Sequence, residues 1–417
     1  MLNEVVTIAR RALYEQKNGE MIARVKGTIL ETFPKTTDII AQLPFVSAQD
    51  GVFKVFGKGT PVIYINNRRV QDLKELDRLM PSEIKSIKVN TMPGAKYDAT
   101  VSAVIQIITA RAQGEGLGGT LYVGSKRSER WSTEEFASLN YRHKVWDLFG
   151  SVYWIQKRQQ IDMKSGQQLS VVDTVHGVGY REEEELKSNR ITAVGGINYN
   201  PNEKISAGVQ YVSNHASWKN NMFNDISHIV NDNMSMTQQL ASSDSPDYDH
   251  NINTYFSGNL GGNLSLDVNL DWVKGHETDK MYSWFPNDVS EDVSTVSNRR
   301  YGYYASKGVL TYASKYVNLE GGAEYAYTDM TQTYDIDNTT LGINNSNDVT
   351  RQNRWALFVS AKSQFGHWGF GAGIRYEDID FNYYKNEAWN KEQSKKLYDG
   401  QIYWLQHILY LPTGAKV

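Results

Sequence analysis

From residue 117 onward, apolar and polar positions alternate with a period of two. Leu266, Val268, Leu270 and Trp272 alternate with serine, aspartate and asparagine. Successive side chains of a β-strand point to opposite faces of its sheet. Such a segment therefore predicts a strand with one apolar and one polar face. The same alternation recurs at 205–211, 319–328 and 368–377.

Short and long connections alternate between these predicted strands. We predict long polar loops between strands of about 10–15 residues, whereas a membrane-crossing strand needs about 9–11. Short turns at one end and long loops at the other are typical of an outer-membrane barrel. The short turns are predicted near 143–146, 200–204, 262–264, 314–316 and 365–367. The long polar segments are 161–182, 216–249, 278–297, 331–352 and 383–398.

Aromatic residues support the same interpretation, because they stand near the ends of the predicted strands, as in the interfacial girdles of membrane barrels. These residues are Trp154, Tyr199, Tyr211, Trp272, Trp355 and Tyr376. The pattern predicts about eleven strands after residue 116 and the start of a twelfth near Leu397, whereas barrels that hold a plug have about 22 strands. We therefore expect residues 114–417 to be roughly the first half of an antiparallel transmembrane β-barrel.

Residues 1–113 have a different pattern and predict a small α+β domain. A helix is expected at 39–43, capped from Thr36–Asp38, with a further helical turn at 81–84. Leucines at 73–80 also have helical spacing. Asn66 and Asn67 suit a tight turn that requires positive φ. Strands are expected at 52–56, 61–65, 87–89 and 104–108, the last of them apolar enough to be central.

Composition narrows the possible functions. The chain has 44 Lys and Arg against 47 Asp and Glu, which disfavours nucleic acid as a partner. It has no cysteine, so disulfide frameworks and thiolate metal sites are excluded. The first residues do not predict a secretory leader, because no apolar core follows a basic start, and no run of about 18 apolar residues occurs. A soluble protein and a membrane barrel both remain compatible with these absences, and the strand pattern favours the barrel.

Ordered motifs in 1–113 resemble the plug domain of TonB-dependent outer-membrane receptors, and most closely the outer-membrane β-barrel family of Bacteroidetes. Phe45 stands where that family usually has glycine. The motifs are Leu43–Val46 with Asp50–Gly51, Val55–Lys58, Pro61–Arg68, Leu76–Leu79, Ser82–Val89, Pro93–Ala99 and Ala103–Thr109. The resemblance implies substrate-gated active uptake at the bacterial outer membrane. The region after 113 matches only in pattern.

The resemblance also implies partners. Asn3, Glu4, Val5, Val6 and Thr7 are similar to the segment that couples such receptors to a TonB-type energy-transducing protein. An exposed β-prone segment of this kind can add to the sheet edge of a partner. It is equally compatible with a first strand of the plug. Implied ligands are a glycan, a peptide or a metal chelate, and a surface lipoprotein is a further implied partner.

No catalytic or cofactor site is predicted, so the protein is not expected to be an enzyme. The eight histidines are scattered and lack metal-ligand spacing. Gly114–Gly119 lacks the Lys-Ser/Thr ending of a phosphate loop, and it is interpreted as a flexible link. The acidic run Glu182–Glu185 is interpreted as a solvated charge run.

Two other functions stay open at this point. A passive structural or adhesive outer-membrane barrel would have no use for the N-terminal segment, so deletion of residues 1–8 would leave its activity intact. A soluble secreted β-rich binding protein would purify without detergent, because its apolar faces would pack against each other.

Overall fold

The computed structural model describes residues 12–17, 20–49, 52–66, 68–70, 73, 76, 79–91, 93–97, 101–109, 115–172, 174–202, 204–231, 233–286, 289–338, 340, 342–365 and 368–409. The predicted coupling residues Asn3–Thr7 lie outside these ranges. Two separate bodies of β-structure are present, one formed by residues up to 109 and the other by residues from 116. We call the first the N-terminal unit and the second the barrel sheet.

The N-terminal unit contains one six-stranded sheet, ordered β1-β2-β7-β8-β5-β6, and a separate hairpin of β3 and β4. The pair β5 and β8 is parallel, and the other pairs are antiparallel. Its strands are β1 (Tyr14–Lys17), β2 (Glu20–Arg24), β3 (Val46–Gln49), β4 (Val52–Val55), β5 (Val62–Ile65), β6 (Arg68–Arg69), β7 (Ile84–Asn90) and β8 (Val104–Thr109). Its helices are α1 (Thr36–Ala41) and the 3-10 turns Ile29–Thr32 and Pro81–Glu83.

Most local predictions for this unit are confirmed. The apolar strand β8 lies between β7 and β5, and Asn66 has a φ of 47° at the turn after β5. The predicted cap of α1 is wrong. The N-cap residue is Lys35, whose side chain makes no capping hydrogen bond. Thr36 is already helical, and its hydroxyl donates to the carbonyl of Leu79. Across the described residues, no helix combines the length and the apolarity that a membrane span requires.

Apolar side chains of helix α1 and of the six-stranded sheet form the core of this unit. Ile39 and Ile40 of α1 are fully buried, as are Ile87 of β7 and Ile105 and Ile107 of β8. Phe45 has a φ of 69°, a conformation that side chains other than glycine seldom adopt. The position where the resembled family carries glycine is therefore a left-handed turn here.

The barrel sheet is a single antiparallel meander in which each long strand pairs with its neighbour in sequence. Its order is β20-β19-β18-β17-β16-β15-β14-β13-β12-β11-β10-β9, and β21 pairs with β19. Among the described residues, β9 and β21 do not pair, so the sheet is not closed. The strands are β9 (Gly116–Arg127), β10 (Trp131–His143), β11 (Trp146–Val171), β12 (Thr174–Asn202), β13 (Ile205–Val230), β14 (Asn233–Gly261), β15 (Leu264–Trp284), β16 (Val293–Ala313), β17 (Val317–Ile336), β18 (Ser346–Phe365), β19 (Trp368–Lys385), β20 (Ala388–Trp389) and β21 (Lys395–Leu409).

The predicted long loops at 161–182 and 216–249 are wrong. Strands β11 and β12 continue through the first segment with 26 and 29 residues, and β13 and β14 continue through the second. The hairpins close at Val172 and Asn231, both with a φ of 53°. Alternation of apolar and polar residues marks the part of a strand that has one face in an apolar medium. Strand pairing continues beyond that part wherever the backbone N–H and C=O groups of neighbouring strands hydrogen-bond to each other.

The alternation itself is confirmed as two faces of one sheet. On β18, Trp355 is 58% exposed and Leu357 is 61% exposed, whereas the intervening Ala356 is buried. On β19, Ile374 is exposed, whereas Arg375 is completely buried. On the buried side, Arg375 and Phe358 contact Ala95 of the N-terminal unit, so we call that face inward and the opposite face outward. The predicted mainly-β fold, with an antiparallel sheet after a small α+β region, is confirmed.

Candidate functional site

One loop of the N-terminal unit rests against the inward face of the barrel sheet. It is the segment Pro93–Tyr97, which follows β7 and contains a turn in which the Tyr97 amide donates to the Gly94 carbonyl over 3.2 Å. Gly94 has a φ of 72°, which glycine adopts without steric cost. The turn presents the carbonyl oxygens of Ala95 and Lys96 to the inward face of the barrel sheet, which we call the wall.

Two cations of the wall donate to these carbonyls. The ammonium of Lys307 on β16 donates to the Lys96 carbonyl over 2.7 Å. The guanidinium of Arg375 on β19 donates to the Ala95 carbonyl over 3.5 Å. The contact therefore uses backbone acceptors of the loop, and its charges belong to the wall.

A carboxylate of β17 balances these cations. Glu324 accepts from Arg354 over 2.6 Å and lies 3.4 Å from both Lys307 and Arg375. Arg375 also donates to Glu377 on its own strand. An isolated buried charge costs several kcal/mol, so this network explains how Arg375 is tolerated with no exposed surface.

Apolar contacts complete the docking surface. Ala95 is 1% exposed and clusters with Val309 and Phe358 of the wall. Gly373 lies so close that a Cβ atom placed there would be 2.9 Å from the Cβ of Ala95. The ring centroid of Phe358 is 5.6 Å from the ammonium of Lys307 and 5.6 Å from the guanidinium of Arg375, within range of cation–π attraction.

Tyr97 occupies the other side of the loop. Its ring meets Tyr64 of β5 edge-on at 5.6 Å, and the Lys307 ammonium lies 5.4 Å from its centroid. Burial, with the nearby charges of Glu20 and Glu320, raises the pKa of the Tyr97 phenol above its ordinary value of 10.0. The phenol is therefore neutral over the physiological pH range.

Sequence reasoning did not single out this cluster as a site. The loop was recognised only as a family motif, and Arg375 and Glu377 only as members of a polar face. The sequence contains one signal for this site: on that polar face a cation stands two residues before a carboxylate, next to glycines of the same strand. The acidic run predicted to be solvated makes surface ion pairs, with Glu183 3.3 Å from Arg181 and Glu185 3.4 Å from Lys187. Within the described ranges, no three histidine or acidic side chains come together as a metal site would require.

Comparison with known proteins finds one family model that matches part of the barrel sheet. Residues 256–399 match the model of the outer membrane protein beta-barrel family. No curated protein matches the chain.

Among solved structures, the ferric yersiniabactin uptake receptor FyuA from Yersinia pestis shares 8% identity, with 92% of this chain and 79% of that chain covered and a TM-score of 0.39. The alcaligin outer-membrane receptor FauA from Bordetella pertussis shares 9%, with 94% and 82% covered and a TM-score of 0.37. The ferric preacinetobactin receptor BauA from Acinetobacter baumannii shares 10%, with 94% and 78% covered and a TM-score of 0.35. At these values the ligands of those receptors say nothing about the ligand of this chain.

Proposed function

Because residues 256–399 match the model of the outer membrane protein beta-barrel family, we propose that the protein imports a ligand across the outer membrane and that the N-terminal unit gates the passage. The family match confirms the predicted outer-membrane location. The exposed apolar face of the barrel sheet, with Leu357 and Trp355 on its surface, fits contact with hydrocarbon. A soluble binding protein would bury such a face.

The contact between Pro93–Tyr97 and the wall carries the proposal. An N-terminal unit that gates the passage must stay bound to the barrel sheet when no energy is supplied, and it must detach when energy is supplied. Two hydrogen bonds to backbone carbonyls and one small apolar cluster supply modest holding energy, since a hydrogen bond to a charged group contributes about 1.5–3 kcal/mol. The wall charges remain paired with Glu324 and Glu377 when the loop leaves, so release does not strand a buried charge.

Energy for release is proposed to come from a TonB-type protein that binds the segment Asn3–Thr7 and pulls on the N-terminal unit. The segment lies before β1, which is the edge strand of the six-stranded sheet. A pull on an edge strand separates it from the sheet one pair at a time, which suits mechanical rearrangement. Glycans, peptides and metal chelates are the proposed ligand classes, and a surface lipoprotein is a proposed further partner.

The chain has no cysteine, so a single introduced thiol reports on gating. Ala95→Cys places that thiol at the buried contact. Cells that make the protein and its energy-transducing partner would be grown on a complex nutrient mixture and treated with a membrane-impermeant maleimide. We expect labelling of the introduced thiol in energised cells and protection when the proton gradient is collapsed.

Two controls make the result specific. Ala23→Cys lies in the core of the N-terminal unit, where Ala23 has no exposed surface, and it should stay protected unless the whole unit unfolds. Deletion of residues 3–7 in the Ala95→Cys background should abolish the energised labelling. A passive structural or adhesive barrel predicts that the thiol of Ala95→Cys is equally protected in every condition, and that outcome would refute active gating.

A further inference from the structure

A row of aromatic and apolar residues crosses the outward face of strands β13 to β16. Tyr211, Ile252, Trp272 and Tyr304 are successive cross-strand partners in this row. Tyr211 and Tyr304 are more than 40% exposed. Such a row fits the aromatic girdle found where a barrel leaves the hydrocarbon.

The next two rows, toward the hairpin ends at Asn231 and Trp284, are basic. His250 pairs with Lys274 in the first of them. His215, Tyr248, His276 and Arg300 are successive partners in the second. We call His215, His250, Lys274, His276 and Arg300 the outer basic patch.

Contacts within the sheet fix the geometry of the patch. The rings of Tyr248 and His276 are stacked at 5.4 Å with an interplanar angle of 5°. The Nε of Arg300 donates to the Nδ1 of His276 over 3.3 Å. The hydroxyl of Tyr211 lies 2.7 Å from the Nδ1 of His250. Side chains held in this way lose less freedom when a ligand binds.

The patch differs from its surroundings in lacking acidic partners. Arg351, on the same outward face, is bound to Asp329 at 3.0 Å, and the inward-facing Arg299 is bound to Glu277 at 2.9 Å. Among the described residues, no carboxylate oxygen lies within 4.0 Å of the Lys274 ammonium or the Arg300 guanidinium. Both side chains are exposed, so their charge is directed at the surrounding medium.

We propose that the outer basic patch binds the phosphate groups of lipids in the outer leaflet of the membrane. The patch lies directly beyond the aromatic row, at the level where lipid headgroups begin. Arginine offers a fork of donors that matches phosphate, and lysine offers a compact positive charge. Each Lys or Arg near an anionic lipid surface contributes about 1 kcal/mol to binding, which corresponds to about fivefold in affinity.

The test uses the whole chain in detergent micelles and native mass spectrometry over a concentration series of lipid. The probes are bisphosphorylated lipid A, the same lipid with both phosphates removed, and inorganic phosphate. We expect the bisphosphorylated lipid to bind in preference to the other two. Lys274→Gln and Arg300→Gln should each weaken this binding about fivefold.

Matched controls are Arg299→Gln, the sequence neighbour on the opposite face, and Arg351→Gln, an outward cation already paired. Both should retain wild-type binding, and all four variants should show the same far-ultraviolet β-signal. Equal binding of the dephosphorylated lipid would overturn the proposal, as would a loss in Arg299→Gln equal to that in Arg300→Gln. Binding of inorganic phosphate as tight as that of the lipid would also overturn it, because the site would then be one for free anions.

Discussion

The ammonium of Lys307 donates a 2.7 Å hydrogen bond to the carbonyl of Lys96, so a side chain of the barrel sheet holds the backbone of the N-terminal unit. The two residues are 211 positions apart in sequence. The bond depends on wall charge and on the shape of the Pro93–Tyr97 turn, and it does not depend on the identity of the side chain at position 96.

Lys307→Met keeps the aliphatic stem and removes the donor. We expect the N-terminal unit to open without energy input, because a hydrogen bond to a charged group contributes about 1.5–3 kcal/mol. Maleimide labelling of Ala95→Cys in the absence of a proton gradient should rise on the order of tenfold. Lys315→Met, at an exposed turn beside Tyr316, is the control and should change nothing. An unchanged labelling rate in Lys307→Met would show that the bond does not hold the loop.

Glu324→Gln should destabilise the contact more strongly than any single loss of a cation. It removes the carboxylate that Lys307, Arg354 and Arg375 share, and removal of one member of a buried ion network costs about 3–5 kcal/mol. The measurement is the urea midpoint at which the thiol of Ala95→Cys becomes reactive. Asp329→Asn breaks an exposed pair and should cost less than about 1 kcal/mol. Equal midpoints for the two variants would contradict the assigned role of Glu324.

Gly373→Ala tests steric docking without any change of charge. The added methyl would meet the Cβ of Ala95 at 2.9 Å and that of Ser360 at 3.0 Å, and overpacking of this kind costs about 1–3 kcal/mol. We expect the thiol of Ala95→Cys to be labelled faster when Gly373→Ala is present in the same protein. Gly302→Ala, where no atom lies within 4 Å of the added methyl, should behave as the parent. Slow labelling in both variants would mean that the loop does not sit against β19.

Alkaline pH should release the N-terminal unit in a manner that depends on Tyr97. Burial raises the pKa of its phenol above 10.0 in the docked state. As the pH rises above about 10, the phenol therefore ionises more readily in the released state than in the docked state. Stability of the contact is therefore full below about pH 10 and falls as pH rises. The urea midpoint of release, followed by a dye on Ser102→Cys, should fall between about pH 9 and pH 11. The fall should be clearly smaller in Tyr97→Phe. Identical falls in both proteins would exclude Tyr97 as the titrating group.

The sequence predicted the two faces of the barrel sheet because alternation is a local property. Ile374 and Tyr376 are predicted on an apolar face, and both are exposed on the outward side. The same logic did not predict the extent of the strands. The polar residues of 161–182 resemble loop residues, yet hairpin partners satisfy their backbone groups on both strands.

The contact site could not be predicted in the same way. Glu324 and Arg375 are 51 residues apart and lie on strands β17 and β19, with β18 between them. Their approach depends on the register of two pairings and on the curvature of the sheet. The pairing of Arg375 with the Ala95 carbonyl depends further on how the N-terminal unit sits against the sheet. None of these quantities is a local property of the sequence.

One face of the barrel sheet must meet lipid while the other meets water and the N-terminal unit. The most direct measurement places single spin labels at positions 355 to 360 of the protein in a bilayer and records accessibility to oxygen and to a water-soluble nickel complex. We expect labels at 355, 357 and 359 to favour oxygen and those at 356, 358 and 360 to be shielded from it. Accessibility that does not alternate along these six positions would contradict the account.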